Sequence, residues 1–294
     1  MKIINEIFGN NTVCKSIKKK GKCLIVDIDN KKYVIKEKNK NIIDTYEYLI
    51  SRDFNNYPKI ILNNKKYNVF EYIEDVDSPL EQKAYDMISL ISLLHNKTTY
   101  YKQMDINEYK ELFESTINKI AKITSYYNNL IDSIERHMFM SPSEYLIARN
   151  ISKIFGALEY SKVQITKWYD IVKTNNKNRI VTLYNNMDLN HILRNNNLYL
   201  ISWDKSISGN PILDLYNFYK NNFNVTDFSL LLEQYEKKYP LQESEKLLLY
   251  SLISIPDEIK FTYNELINCK RAKKIVDYIY KSEVLISKNK DTEK

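Results

Sequence analysis

Apolar positions along the chain change period once, near residue 78. Before it they come in short runs. Thr12–Ile17 and Cys23–Ile28, then Lys32–Ile35 after the Asp29-Asn30 turn signal, predict three strands, and residues 1–38 as a whole read as strand-forming. Asp44–Ser51 (DTYEYLIS) predicts a helix and Asn55–Pro58 a turn. Lys59–Leu62 and Tyr67–Tyr72 follow as two strands around Asn63-Asn64.

Beyond residue 78 the spacing becomes helical. Pro79–Leu94 sets Tyr85, Ile88, Ile91 and Leu94 along one face, and Ile106 to Phe139 reads as one long helix or two. Ser141-Pro142-Ser143-Glu144 spells a helix start: a serine cap, a proline at the first helical position and a glutamate to close a capping box. That helix reaches Val172, and Arg179–Leu183 (RIVTL) is a buried strand. Ile192–Leu193 and Leu198–Trp203 predict a hairpin around the polar Asn195–Asn197. A Gly209–Pro211 turn then leads to helices over Leu215–Lys220, Asp227–Tyr239, Glu243–Ile253, Asp257–Cys269 and Ala272–Ile286. The class is α+β, with an antiparallel sheet and one helix in residues 1–75 and a helical part in 76–294.

Composition narrows this little. A chain of 294 residues, 44% hydrophobic and 28% charged, is an ordinary globular protein large enough for two lobes. No apolar run approaches a membrane span and the N-terminus lacks a signal-peptide core, so a cytoplasmic location and no membrane partner are expected. The net charge of +7 raises nucleic acid as a partner. Yet the chain is rich in Lys, Asn, Ile and Tyr, a bias that raises lysine by itself, and no nucleic-acid module is present; none is expected to bind. The dense run Lys15–Lys22 reads as a solvated hairpin turn. Cys14, Cys23 and Cys269, and His95, His137 and His191, are too scattered to form a metal site by spacing.

The chemistry, if any, lies in Tyr184–Asp214, YNNMDLNHILRNNNLYLISWDKSISGNPILD. This segment resembles the catalytic stretch of the aminoglycoside phosphotransferase, choline kinase and spore-coat kinase-like family: H-G-D-L-H-P-G-N-I-L, a hairpin, I-D-W-E or I-D-F-D, then G-N/D-P-x-x-D-L-A. The scaffold letters agree at Ile192, Leu193, Ile201, Trp203, Asp204, Gly209, Pro211, Asp214 and Leu215. The chemical letters do not. Tyr184 stands at the histidine, Asn186 at the catalytic aspartate, His191 at the metal-binding asparagine and Ser202 at the second metal-binding aspartate.

The resemblance implies a bilobal protein-kinase-like fold. It implies that Lys36, ending the third strand with Lys38 as rival, contacts nucleotide phosphates, and that Glu47 on the following helix holds the lysine. The backbone near Glu71–Ile73 would meet an adenine ring, and Asp214 would brace the catalytic loop; helix capping would equally explain that aspartate. ATP is the implied cofactor, although no glycine-rich phosphate loop is present. The substitutions speak against Mg²⁺: an amide is no general base, a serine hydroxyl is a neutral ligand and an imidazole is a poor one for a hard cation. Two readings stay open. One is a pseudokinase acting as a nucleotide- or ligand-binding or scaffold protein, its protein partner unspecified. The other is an active phosphotransferase for a small hydroxylated or amino compound, using Asp188 as base and Asp204 as metal ligand. Each of these acids lies two residues past the lost one, ~6–7 Å along an extended strand.

Overall fold

The computed structural model describes residues 2–9, 14–38, 42–103, 105–175 and 177–292. Thr12 and Val13 of the first expected strand lie outside the described residues. The small lobe holds a helix α1 (Lys2–Phe8), strands β1 (Cys14–Lys20), β2 (Cys23–Ile28) and β3 (Lys31–Glu37), a helix α2 (Ile43–Ser51), and strands β4 (Ile60–Asn63) and β5 (Tyr67–Glu71). The strands form an antiparallel sheet in the order β1-β2-β3-β5-β4. Asp29 and Asn30 adopt φ of 50° and 63°, the left-handed pair that lets a two-residue turn follow the twist of its strands. Alternation sends Val26, Ile28, Ile35 and Val69 to one face, where they cluster with Ile4 of α1. Val34 and Phe70, paired across β3 and β5, join the main core on the other.

Two expectations for this lobe need correcting. Residues 2–8 form a helix rather than a strand, because Ile4, Ile7 and Phe8 recur at helical spacing and cover the otherwise bare outer face of the sheet. The basic run is mostly strand β1, with only Gly21 and Lys22 at the turn and Gly21 at φ +58°. As an edge strand with exposed lysines, β1 resists pairing with another chain.

The large lobe begins with α3 (Leu80–Thr98) and β6 (Tyr100–Gln103), then the long helices α4 (Ile106–Glu135) and α5 (Pro142–Val172). Next come β7 (Lys177–Leu183), the hairpin β8 (Ile192–Arg194) and β9 (Leu198–Leu200), and β10 (Ile207–Gly209). Helices α6 (Ile212–Asn222), α7 (Phe228–Glu236), α8 (Glu243–Ile253) and α9 (Glu265–Thr292) complete it. The Ser141 hydroxyl accepts from Glu144 N while the Glu144 carboxylate accepts from Ser141 N, closing the capping box that starts α5. Helix α5 packs on α4, α8 and α9. It meets α8 closely because small residues face each other: Ser161 and Ser251 each donate to the other's carbonyl, at 2.8 and 3.0 Å. Strand β10 packs onto β7 at Gly209, where a Cβ would lie 2.7 Å from Leu183 Cδ1.

The expected helix over Asp257–Cys269 is absent in its first half. Tyr127 of α4 donates its hydroxyl to Asp257 O at 2.8 Å, and Tyr126 donates to Ile259 O, so these carbonyls are drawn out of any helical ladder. The second half joins the next segment in the single helix α9. Strand β6, not foreseen, pairs with β7.

The lobes meet through the turn after α2 and through the hinge. Leu200 N donates to Asn56 O and Asn56 Nδ2 to Leu198 O, at 2.9 and 2.8 Å. Phe54 and Tyr57 of the small lobe set their rings edge-on to Trp203. In the hinge, Val76 N donates to Arg194 O at 2.7 Å, and the Arg194 guanidinium forks onto Asp86 at 2.9 and 2.6 Å. Phe54 is fully buried, and Phe54→Ala should lower the unfolding free energy by about 3–5 kcal/mol in urea denaturation. A loss below about 1 kcal/mol would mean that this contact does not hold the lobes together.

Candidate functional site

The loop between β7 and β8 is shaped by one carboxylate. Asp214, in the first turn of α6, is fully buried and accepts from Tyr184 N and Asn185 N, both at 2.8 Å. His95, near the end of α3, contacts it through Nε2 at 3.2 Å and meets the Tyr235 hydroxyl through Nδ1 at 2.7 Å. Asn185 is thereby held at φ 55°, a left-handed conformation that asparagine tolerates better than most residues. Its side chain donates to Lys205 O and accepts from Asn217.

Tyr184 is a buried strut. Its hydroxyl donates to Ile201 O, with His191 O further away at 3.4 Å, and burial pushes its pKa well above the usual phenol range. The loop is therefore tied to the end of the β8–β9 hairpin by a neutral donor.

Asn186 and Ser202 come together. Asn186 is buried and its Nδ2 donates to Ser202 O at 3.1 Å. Ser202 sits at φ 64°, ψ 62°, a costly conformation for a residue with a Cβ. That left-handed step starts a short 3₁₀ turn at Trp203–Lys205, which carries Asp204 back towards the small lobe. There Asp204 forms an ion pair with Lys36 of β3, the two side chains 28% and 12% exposed. An acid two residues along a straight strand would miss this position; the turn delivers it.

Glu47 is displaced from its expected role. It lies on the exposed side of α2, while Tyr46 and Leu49 face the core, and the ion pair made by Lys36 among the described residues is with Asp204. Cys23, directly opposite Lys36 in the β2–β3 register, faces the same site; burial raises its thiol pKa, with Lys36 opposing and Asp204 reinforcing. Asp188 is exposed. One of its oxygens accepts from Asn190 N and Asn190 Nδ2, at 2.9 and 2.8 Å, capping the 3₁₀ turn Leu189–His191. Burial lowers the pKa of His191 against the pull of Asp188, and its Nδ1 is buried without a hydrogen-bond partner among the described residues. Neither Cys23 nor the His95–Asp214 contact was signalled by sequence spacing, since each depends on strand register or on elements far apart in the chain.

At the hinge, Glu71 closes β5: its N–H donates to Lys59 O and its carboxylate accepts from Lys59 N at 2.8 Å. Ile73, half-buried, has no backbone hydrogen-bond partner among the described residues. A planar heterocycle entering the cleft would find a free peptide edge there.

The donor set does not fit Mg²⁺. Asn186 and Ser202 are neutral and joined to each other, His191 offers nitrogen, and Asp204 is already neutralised by Lys36. Among the described residues, no three His, Cys, Asp or Glu side chains converge as metal ligands.

The architecture is that of the protein-kinase-like phosphotransferases of small molecules. No family model matches the sequence, and no curated protein does. Solved structures do match in fold. An aminoglycoside phosphotransferase from Alicyclobacillus acidocaldarius superposes with a TM-score of 0.72 at 9% identity, covering 95% of this chain and 93% of that one. Spectinomycin phosphotransferase in its AMP-bound complex gives 0.59 at 13% identity, with 96% of each chain covered. Choline kinase LicA from Streptococcus pneumoniae gives 0.50 at 16% identity, covering 94% of this chain and 98% of that one. The bilobal kinase-like fold is therefore that of the aminoglycoside phosphotransferase and choline kinase group.

Because burial disfavours the charged imidazole of His191, the unfolded chain takes up this proton more readily than the folded one. Its contribution to stability is intact above the ordinary histidine pKa of 6.5 and is lost as pH falls from there through the lowered folded value. An NMR titration of the ring should show a midpoint below 6.5; one at or above that value contradicts the burial described.

Proposed function

We propose that this chain is a pseudokinase of the aminoglycoside-phosphotransferase-like fold: a nucleotide-binding or scaffold protein of the cytoplasm that holds its ligand without Mg²⁺ and transfers no phosphoryl group. The observation that carries this reading is the Lys36–Asp204 ion pair beside the Asn186–Ser202 hydrogen bond. Phosphoryl transfer needs a carboxylate at the nucleophile and charge neutralisation at the phosphates. Here the first position is an amide, and Asp204, the acid that meets Lys36, is bound to it. Nucleotide binding draws support from Lys36, the open hinge edge at Ile73, and spectinomycin phosphotransferase, solved with AMP and with ADP and spectinomycin. A bound phosphate would compete with Asp204 for Lys36.

One observation favours a second reading. Asp204 does return to the cleft through its 3₁₀ turn, and Asp188 stands nearby at the exposed mouth of the loop. On that reading the protein phosphorylates a small hydroxylated or amino compound.

The Asp204→Asn variant separates the two. In the pseudokinase, removing a carboxylate that competes for Lys36 and repels phosphate should leave nucleotide affinity unchanged or raised, with no need of metal. Lys36→Ala should weaken binding by about 1.5–3 kcal/mol, the worth of hydrogen bonds to a charged group. Thermal denaturation with ATP or ADP, with and without Mg²⁺, reads both; saturation at about 100-fold Kd adds about 2.7 kcal/mol. Metal-dependent ATP turnover that disappears in Asp188→Ala or Asp204→Asn would overturn the pseudokinase reading. An Asn186→Asp, Ser202→Asp double variant should gain turnover if only the acids are missing from the frame.

A further inference from the structure

The end of the large lobe farthest along the α4–α5 hairpin carries a feature the cleft does not use. Met138, Phe139 and Met140 follow one another at the hairpin apex, 89%, 84% and 43% exposed. Tyr145, one turn into α5, is also exposed. The start of α9 lies against this apex: Ser143 N donates to Glu265 Oε1 at 2.7 Å, which holds the Glu265 carboxyl down at about 2. Beside Glu265 stand Tyr263 and Leu266, both exposed. The result is a projecting knob of apolar side chains, too many and too close together to be scattered surface residues.

Charge around the knob is weighted towards cations. Glu144 meets His137 at 3.0 Å, Glu258 meets Lys122 at 3.1 Å, Asp257 meets Lys220 at 2.9 Å and Glu265 meets the α5 N-terminus, while the exposed Asp132 and Glu135 at the end of α4 make no ion pair among the described residues. The exposed Lys270, Arg271, Lys273 and Lys274 follow directly on α9, and none makes an ion pair among the described residues. By helical spacing Lys270 and Lys273 extend the side of Leu266, and Arg271 and Lys274 the side of Ile267.

We propose that this knob docks the protein on an anionic membrane surface, with Met138, Phe139 and Met140 entering the headgroup boundary and the α9 cations meeting the lipid phosphates. A convex apex of unbranched and aromatic side chains suits insertion between headgroups, and uncompensated cations beside it suit an anionic leaflet. No crossing helix is needed; among the described residues none is long and apolar enough to span. The expectation of no membrane contact rested on the lack of such a span, and surface docking does not require one.

Co-sedimentation of the full chain with vesicles of phosphatidylcholine, alone and with phosphatidylglycerol added, tests this. Binding should require the anionic lipid and decline with salt. Met138→Ser, Phe139→Ser and Met140→Ser together, or Lys270→Gln with Lys273→Gln, should each weaken it by about tenfold or more. All these positions are exposed, so the melting temperature should not change and the loss can be assigned to the surface. Absence of binding to the anionic vesicles, or binding that survives both sets of changes, overturns the proposal. So does a dimer in solution that the apex triple variant dissolves, since the knob would then be covered by a second copy of the chain.

Discussion

A buried carboxylate governs the centre of this molecule. Asp214 is wholly removed from water, and a charge in that position is tolerated only when its oxygens are occupied. Two come from consecutive peptide N–H groups of the loop, a third from His95, and His95 is itself anchored by Tyr235. One residue of α6 thus fixes the backbone at Tyr184 and Asn185 while tying α3 and α7 to the same point. The shape of the loop follows from that arrangement and not from the side chain at Asn186.

This explains how the loop keeps its shape with an amide at Asn186 and a hydroxyl at Ser202. Asn185 and Ser202 both remain left-handed, conformations that cost of order 1–3 kcal/mol each unless the surroundings enforce them. The surroundings do: Asp214 from below, the Tyr184 hydroxyl on Ile201 O from behind, and buried Trp203, ringed by Phe54, Tyr57 and Tyr184, from the side. The shape of the loop therefore does not depend on the side chains at Asn186 and Ser202. The charge of the cleft does depend on its side chains, and there Lys36 and Asp204 pair with each other.

Much of the fold was legible because its signals are local. The Ser141–Glu144 capping box, the Asp29-Asn30 turn and the apolar faces of α3, α4 and α5 depend on residues within a few positions of one another. The failures share the opposite property. Residues 257–264 have an acceptable helical pattern, but tyrosines on α4 take the carbonyls of Asp257 and Ile259. Helix α1 has a short apolar run that only the uncovered sheet face disambiguates. At the site, the positions of Asn186, Ser202 and Asp214 follow from motif spacing. The partner of Lys36 does not, because it turns on whether Asp204 continues a strand or enters a 3₁₀ turn.

Net charge shows the same distinction between inventory and placement. The lysines of β1 and the cations of α9 look alike in a composition table, and both are exposed. On β1 they line a sheet edge with an isolated exposed apolar side chain, Ile17, among them rather than a cluster, and protection of that edge accounts for them. On α9 they adjoin the Met138–Met140 apex, which lies 130 or so positions earlier in the chain and is brought there by the packing of α5 on α9, the Ser143–Glu265 contact included. A charge cluster becomes a candidate surface when apolar side chains project from the same place. That conjunction is a property of the fold, so no scan along the sequence could have found it.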